Sequence, residues 1–125
     1  MAIILNHMIV PAHDKNAATR FFARLFGLEV NDAGHFAVVR VNDSLTLDFA
    51  DEERFEAHHY AFQVDDAEFD AIFARVKAED IAYSADPFRR EMGQINHWNG
   101  GRGVYFQDPD GHLLELLTRT QAKAS

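Results

Sequence analysis

Gly103 to Leu117 reads G-V-Y-F-Q-D-P-D-G-H-L-L-E-L-L, two apolar runs on either side of Asp108-Pro109-Asp110-Gly111. That tetrapeptide suits a type I turn: Asp at the first corner, Pro setting φ at the second, Gly closing the fourth. The stretch therefore predicts a β-hairpin. On its returning strand Glu115 shares a face with Leu113 and Leu117, while Leu114 and Leu116 fill the other face. A carboxylate inside a strand that is apolar on both sides is costly unless it is paired, protonated or bound to a metal. The partner of Glu115 is the question from which the rest of the chain is read.

Composition bounds the answer. A chain of 125 residues suits one domain with a single sizeable core. Hydrophobic residues make up 47% and eleven residues are Phe, which points to a compact globular protein rather than a disordered one. No apolar run reaches the length that spans a bilayer, and Met1 to Asn6 is too short, with no basic start, for a signal peptide. The net charge of -8 argues against nucleic acid, which requires a basic face. There is no cysteine, so no disulfide frame exists and a metal site must use His, Asp or Glu. These features predict a soluble, cytoplasmic protein with neither a nucleic-acid nor a membrane partner.

Working outward from the hairpin, Ile3 to Val10 alternates as a strand that Pro11 ends. Asp14 stands where a helix cap belongs, Lys15 to Phe26 carries helical apolar spacing, and Gly27 stops it. Leu28 to Val30, Phe36 to Val41 and Leu45 to Ala50 predict three more strands, split by Asp32-Ala33-Gly34 and Asn42-Asp43. The same order then recurs. His59 to Val64 is a strand, and Asp65 or Asp66 caps a helix to about Glu79 with Phe69, Ile72, Phe73 and Val76 on its apolar face. Strands follow near Ile81 to Ser84, Gly103 to Gln107 and His112 to Thr118. Between the last three, Asp86 to Arg102 forms a long irregular loop with Trp98 and Gly100-Gly101.

The two halves overlay. His7 matches His59 and Phe22-Ala23-Arg24 matches Phe73-Ala74-Arg75, at offsets of 52 and 51 residues. In the closing strands Asp48 falls opposite Glu115. Such a period signals internal duplication, and it predicts an α+β fold of two βαβββ modules forming a curved mixed sheet around a cleft. Module one covers 1–52, module two 53–120, and 121–125 is a frayed tail.

Duplication also gathers the chemistry. His7 and Asp48 come from one half, His59 and Glu115 from the other: four ligands without sulfur, suited to Zn, Ni, Mn, Fe or Co. Two His and one carboxylate among them equally make a facial triad with open positions. Singly, each is better explained blandly, Glu115 by a pair with Arg102 or Arg119 and Asp48 by water. Their coincidence at equivalent positions favours ligation for His7, His59 and Glu115, and less so for Asp48 with its shorter side chain.

L-N-H-M-I-V at 5–10, H-Y-A-F-Q-V-D-D at 59–66 and D-P-D-G-H-L-L-E-L at 108–116 resemble the vicinal oxygen chelate superfamily. That group includes glyoxalase I, extradiol dioxygenases, fosfomycin-resistance enzymes, methylmalonyl-CoA epimerase and bleomycin-resistance proteins. The resemblance implies one such domain over 1–125, with His7, His59 and Glu115 in the family's metal positions and Asp48 in the fourth. It also implies a homodimer in which each metal is shared between chains. Pro11 and Glu52 stand where glyoxalase I grips glutathione, which points away from that substrate. Only three Lys (15, 77 and 123) are present, which points away from a phosphonate.

The expected function is a metal-dependent enzyme of the lyase, isomerase or dioxygenase class, acting on a small molecule chelated through adjacent oxygens. The metal polarises a substrate oxygen; Asp48, Glu115 or His97 supplies the base. Trp98, Tyr105 and Phe36 wall an apolar pocket and Arg102 anchors an anionic group, its bland alternative being an ion pair with Glu91 or Asp108. His13, His35, His58 and His112 are read as surface or packing residues. Two rival readings are a metal-free drug-binding module and a dimeric scaffold without a small-molecule role.

Overall fold

The computed structural model describes residues 2 to 120, so the expected tail at 121–125 lies outside the described residues. The chain divides into two compact units, one ending at Glu56 and the other beginning at Ala57. Unit one runs β1 (His7–Ala12), α1 (Lys15–Phe26), β2 (Val30–Ala33), β3 (Phe36–Arg40) and β4 (Thr46–Asp51). Unit two runs β5 (His59–Gln63), α2 (Asp66–Ala78), β6 (Tyr83–Ser84), a short 3-10 turn (Trp98–Gly100), β7 (Gly103–Gln107) and β8 (Leu113–Leu117). Each unit has its own four-stranded mixed sheet, ordered β1-β4-β3-β2 and β5-β8-β7-β6. The first and last strands of each unit pair in parallel, and the other neighbours are antiparallel. The βαβββ order is therefore present twice.

Local chemistry explains the helices. The Asp14 carboxylate accepts from the N–H groups of Asn16 and Ala17, and Gly27 takes the left-handed conformation (φ 70°) that ends α1. Ala18, Phe22, Leu25 and Phe26 are buried along one stripe, with Phe22 stacked on Phe26 at 4.1 Å and tilted against Phe49 at 6.0 Å. In α2 the Asp65 side chain caps through the Glu68 N–H, and Phe69, Ile72 and Val76 are buried. Phe73 is only half-buried; it meets Tyr83 edge-on and carries the Lys77 ammonium over its ring at 4.4 Å. One face of each sheet is core: Val10, Val39, Leu47 and Phe49 in unit one; Val104, Phe106, Leu114 and Leu116 in unit two. The alternate face carries the polar residues of interest.

Three expectations move. β1 begins at His7 instead of Ile3 and continues through Pro11 to Ala12. Its even-numbered residues face β4, since Asn6 and Ala12 carbonyls accept from Thr46 and Glu52. The nitrogen of Pro11 therefore points away from the ladder and removes no bond from it. β2 lies at 30–33 instead of 28–30, and the hairpin to β3 turns at Gly34 with φ 61°. The loop after β6 is ordered by Asp86, whose carboxylate accepts from the N–H groups of Phe88, Arg90 and Glu91.

The β7–β8 hairpin forms as its sequence suggests. The Gly111 N–H donates to the Asp108 carbonyl at 3.1 Å, and Asp108 Oδ1 accepts from the N–H groups of Asp110 and His112, each at 2.9 Å. Gly111 has φ 85°, a backbone state that glycine adopts without strain.

Candidate metal and substrate site

Strand register builds the site. In the parallel pairs Ile9 lies opposite Asp48 and Ala61 opposite Glu115, and each stands two residues after a His, His7 or His59. The two units thus hold their His and carboxylate in the same backbone frame. Side chains two apart on a strand share a face, so His59 and the residue opposite Ala61 look the same way.

In unit two the pair closes. His59 Nε2 lies 2.9 Å from Glu115 Oε1, with side chains 47% and 13% exposed respectively. Glu115 therefore finds its partner in an imidazole, rather than in Arg102 or Arg119. Tyr105, directly across the antiparallel ladder from Glu115, is 5% exposed. Burial, followed by a hydrogen bond to Glu115 and the charges of Glu115 and Asp86, drives its phenol pKa far above the ordinary value. Unit one differs. His7 Nδ1 sits 2.8 Å from Asn6 Oδ1, and Asp48 accepts from the Thr46 hydroxyl at 3.0 Å.

His59 and Glu115 have the nitrogen and oxygen donors that a divalent ion of the first transition row prefers. They fit half of such an ion's protein shell. Among the described residues no group of three or more His, Cys, Asp or Glu gathers within either unit.

Beside Glu115 lies a hollow of about 300 Å³, lined in part by Ala61, Trp98, Arg102, Tyr105 and Arg119. The Trp98 ring is half exposed and meets Tyr105 edge-on at 6.1 Å. The structure therefore brings Trp98, Arg102, Tyr105 and Glu115 to one cavity. The Arg102 guanidinium turns toward α2, donating to Asp70 at 2.7 Å and Asp66 at 3.0 Å, and lies 4.4 Å from the centre of the Phe69 ring. Those carboxylates, Asp70 foremost, hold its pKa up. They replace Glu91 and Asp108, the partners that sequence proximity suggested. His97 is exposed just before the 3-10 turn. Phe36 is half-buried at the head of β3 in unit one, edge-on to His35 at 5.9 Å.

Asn96 was invisible in the sequence. Buried, it donates from its amide to the Ala85 carbonyl at 2.8 Å and accepts from the Trp98 N–H at 3.2 Å, which fixes the start of the Trp98 turn. A Cβ on Gly103 would come within 2.7 Å of its Oδ1, so that glycine is needed for close approach. No pattern in the chain marks an Asn in a long loop as a support.

Of the histidines read as surface or packing groups, His112 is the packed one, at 0% exposure. Its Nδ1 accepts from the His58 N–H at 2.9 Å, and the His58 ring reaches the Tyr60 hydroxyl at 2.6 Å. Burial and the Asp108 charge push the Tyr60 phenol up to about 12. Asp108 itself is held above its ordinary 3.8, chiefly by burial, against the lowering influence of His112. A carboxyl whose folded pKa is raised binds its proton more tightly in the folded state. Its stabilisation is full below 3.8 and disappears as pH rises through the folded value. Asp108→Asn, which keeps an acceptor for the turn, should gain on the parent as pH rises from about 4 to about 7. Urea midpoints across that range test this; a constant difference between the two proteins contradicts it.

Residues 4–116 match the family model described as the Glyoxalase/Bleomycin resistance protein/Dioxygenase superfamily. The chain belongs to this superfamily. Among solved structures, Oxidase ChaP-H2 is similar at 46% identity, covering 100% of both chains with a TM-score of 0.94. Oxidase ChaP-H1 is similar at 46% identity, covering 98% of this chain and 100% of its own, with a TM-score of 0.93. A curated relative, metallothiol transferase FosB of Shouchella clausii (strain KSM-K16), is 28% identical over 128 residues, 95% of this chain and 82% of that protein. Among the described residues no helix is long and apolar enough to cross a membrane. As a superfamily member the chain carries the duplicated βαβββ frame that its repeat implied.

Proposed function

We propose that this superfamily member is a metal-dependent oxidase, acting on a small molecule that reaches a divalent ion through two adjacent oxygens. The observation that carries the proposal is the His59–Glu115 pair at the wall of an aromatic hollow. Within the lyase, isomerase and dioxygenase classes, 46% identity to two proteins named oxidases favours oxygen chemistry. His59 and Glu115 hold the ion, together with His7 of a second copy. When bound, the ion supplies Lewis-acid polarisation of the substrate oxygens.

The chain's own residues do the remaining work. Trp98 and Tyr105 offer ring surface to a flat substrate. Arg119 brings a positive charge to the same hollow, whereas that of Arg102 is already matched by Asp66 and Asp70. Asp48, bonded to a neutral hydroxyl, takes the substrate's proton, with His97 as the second candidate base. The enzyme acts as a cytoplasmic homodimer. Exposed Ile3, Leu5 and Ile9, on and just before β1, offer a second copy an apolar surface.

The test is oxygen uptake by Fe(II)-loaded protein given a panel of catechols. Uptake matched to loss of the catechol, and absent without iron, is the expected result. Metal-dependent turnover without uptake points to lyase or isomerase chemistry. Binding of the same probes at equal strength with and without metal points to a binding module.

A further inference from the structure

We propose that the Tyr105 hydroxyl is a positioning group that holds the Glu115 carboxylate ready for the metal. The proposal rests on the metal-dependent reading above. Glu115 sits on a central strand with one neighbour on each side: Ala61 across the parallel ladder, Tyr105 across the antiparallel one. Ala61 has no polar side-chain atom. Within the sheet the carboxylate therefore has two polar neighbours, His59 at 2.9 Å and, directly across the antiparallel ladder on the same face, the phenol of Tyr105.

The phenol is held in place. Tyr105 is 5% exposed, and its ring lies 5.9 Å from that of His59 and 6.1 Å from that of Trp98. A glutamate samples several rotamers, and a fixed donor narrows them before the ion arrives, so less freedom is lost on binding. Ligating carboxylates elsewhere depend on such outer partners.

The duplication supplies an internal comparison. In unit one the residue across the antiparallel ladder from Asp48 is Val38, which has no donor. Asp48 bonds instead to Thr46 on its own strand, and His7 turns to Asn6. The same backbone register with a different cross-strand residue leaves the carboxylate differently engaged. Tyr105 is what unit two has and unit one lacks.

Tyr105→Phe keeps the ring in the hollow and removes only the hydroxyl. Co(II) alone is titrated into the parent, Tyr105→Phe, His59→Ala and Tyr83→Phe, following the visible spectrum, and each metal-free Tm is measured. Tyr105→Phe should weaken Co(II) binding about 10- to 100-fold, with a metal-free Tm close to the parent's and Tyr83→Phe, which removes a hydroxyl from the neighbouring strand β6, binding normally. Unchanged affinity in Tyr105→Phe, with binding lost in His59→Ala, overturns the positioning role and leaves the metal reading intact. Equal weakening in Tyr83→Phe also overturns it, because general packing would then be the cause. A parent that takes up no Co(II) overturns both.

Discussion

His59→Ala should abolish metal-dependent turnover and the rise in Tm that a divalent ion produces, while leaving the metal-free fold intact. The two effects separate because of where the ring stands. It is 47% exposed, on a strand at the edge of its own sheet, and its hydrogen bond goes to the Glu115 carboxylate. Removing an exposed pair of that kind costs about 1 kcal/mol or less. The ion contributes more. At a concentration of about 100 times Kd it adds about 2.7 kcal/mol to the folded state. With about 2.1 cal/mol/K of unfolding entropy per residue, this corresponds to a rise of roughly 10 °C for a chain of this length. The parent should show that rise and the variant should not. A variant that still melts higher with the ion, or turns over at the parent's rate, removes His59 from the centre.

Phe69→Ala should produce the largest loss of stability, about 3–5 kcal/mol. Phe69 is 0% exposed on α2, 5.8 Å from the Phe73 ring and beneath the Arg102 guanidinium at 4.4 Å. Truncation leaves a cavity under a charged group, and the helix cannot follow inward because Ile72 and Val76 are seated on the same face. A loss of this size is a large share of the roughly 5–15 kcal/mol that holds an ordinary domain. It should appear as a lower urea midpoint with an unchanged slope, and Phe69→Leu should lose markedly less. A midpoint near the parent's would mean that the ring is not supporting α2 beneath Arg102.

Much of this was legible along the chain. The D-P-D-G turn announced the hairpin because every position in it has a local requirement that only a few residue types meet. Helices announced themselves through Asp14, Gly27 and Asp65, whose cap bonds span three residues or so. The repeat was legible because His7 and His59, and the two Phe-Ala-Arg runs, recur at offsets of 52 and 51 residues, and the observed registers place Asp48 and Glu115 alike. Strand ends were less legible. β1 passes through Pro11 because the direction of one nitrogen, set by the ladder, decides whether proline is tolerated there.

The candidate site divides in the same way. Residue types, their pairing across the duplication and the choice between oxygen and sulfur donors follow from the sequence by itself, since they depend on chemistry and spacing. Which partner each side chain takes was decided only in the folded chain. Arg102 reaches Asp66 and Asp70, more than thirty positions earlier in the sequence, Glu115 lies between His59 and Tyr105, and Asn96 braces Trp98. Those contacts join residues far apart along the chain. Their energies depend on distances of a few ångströms, which composition and periodicity do not encode.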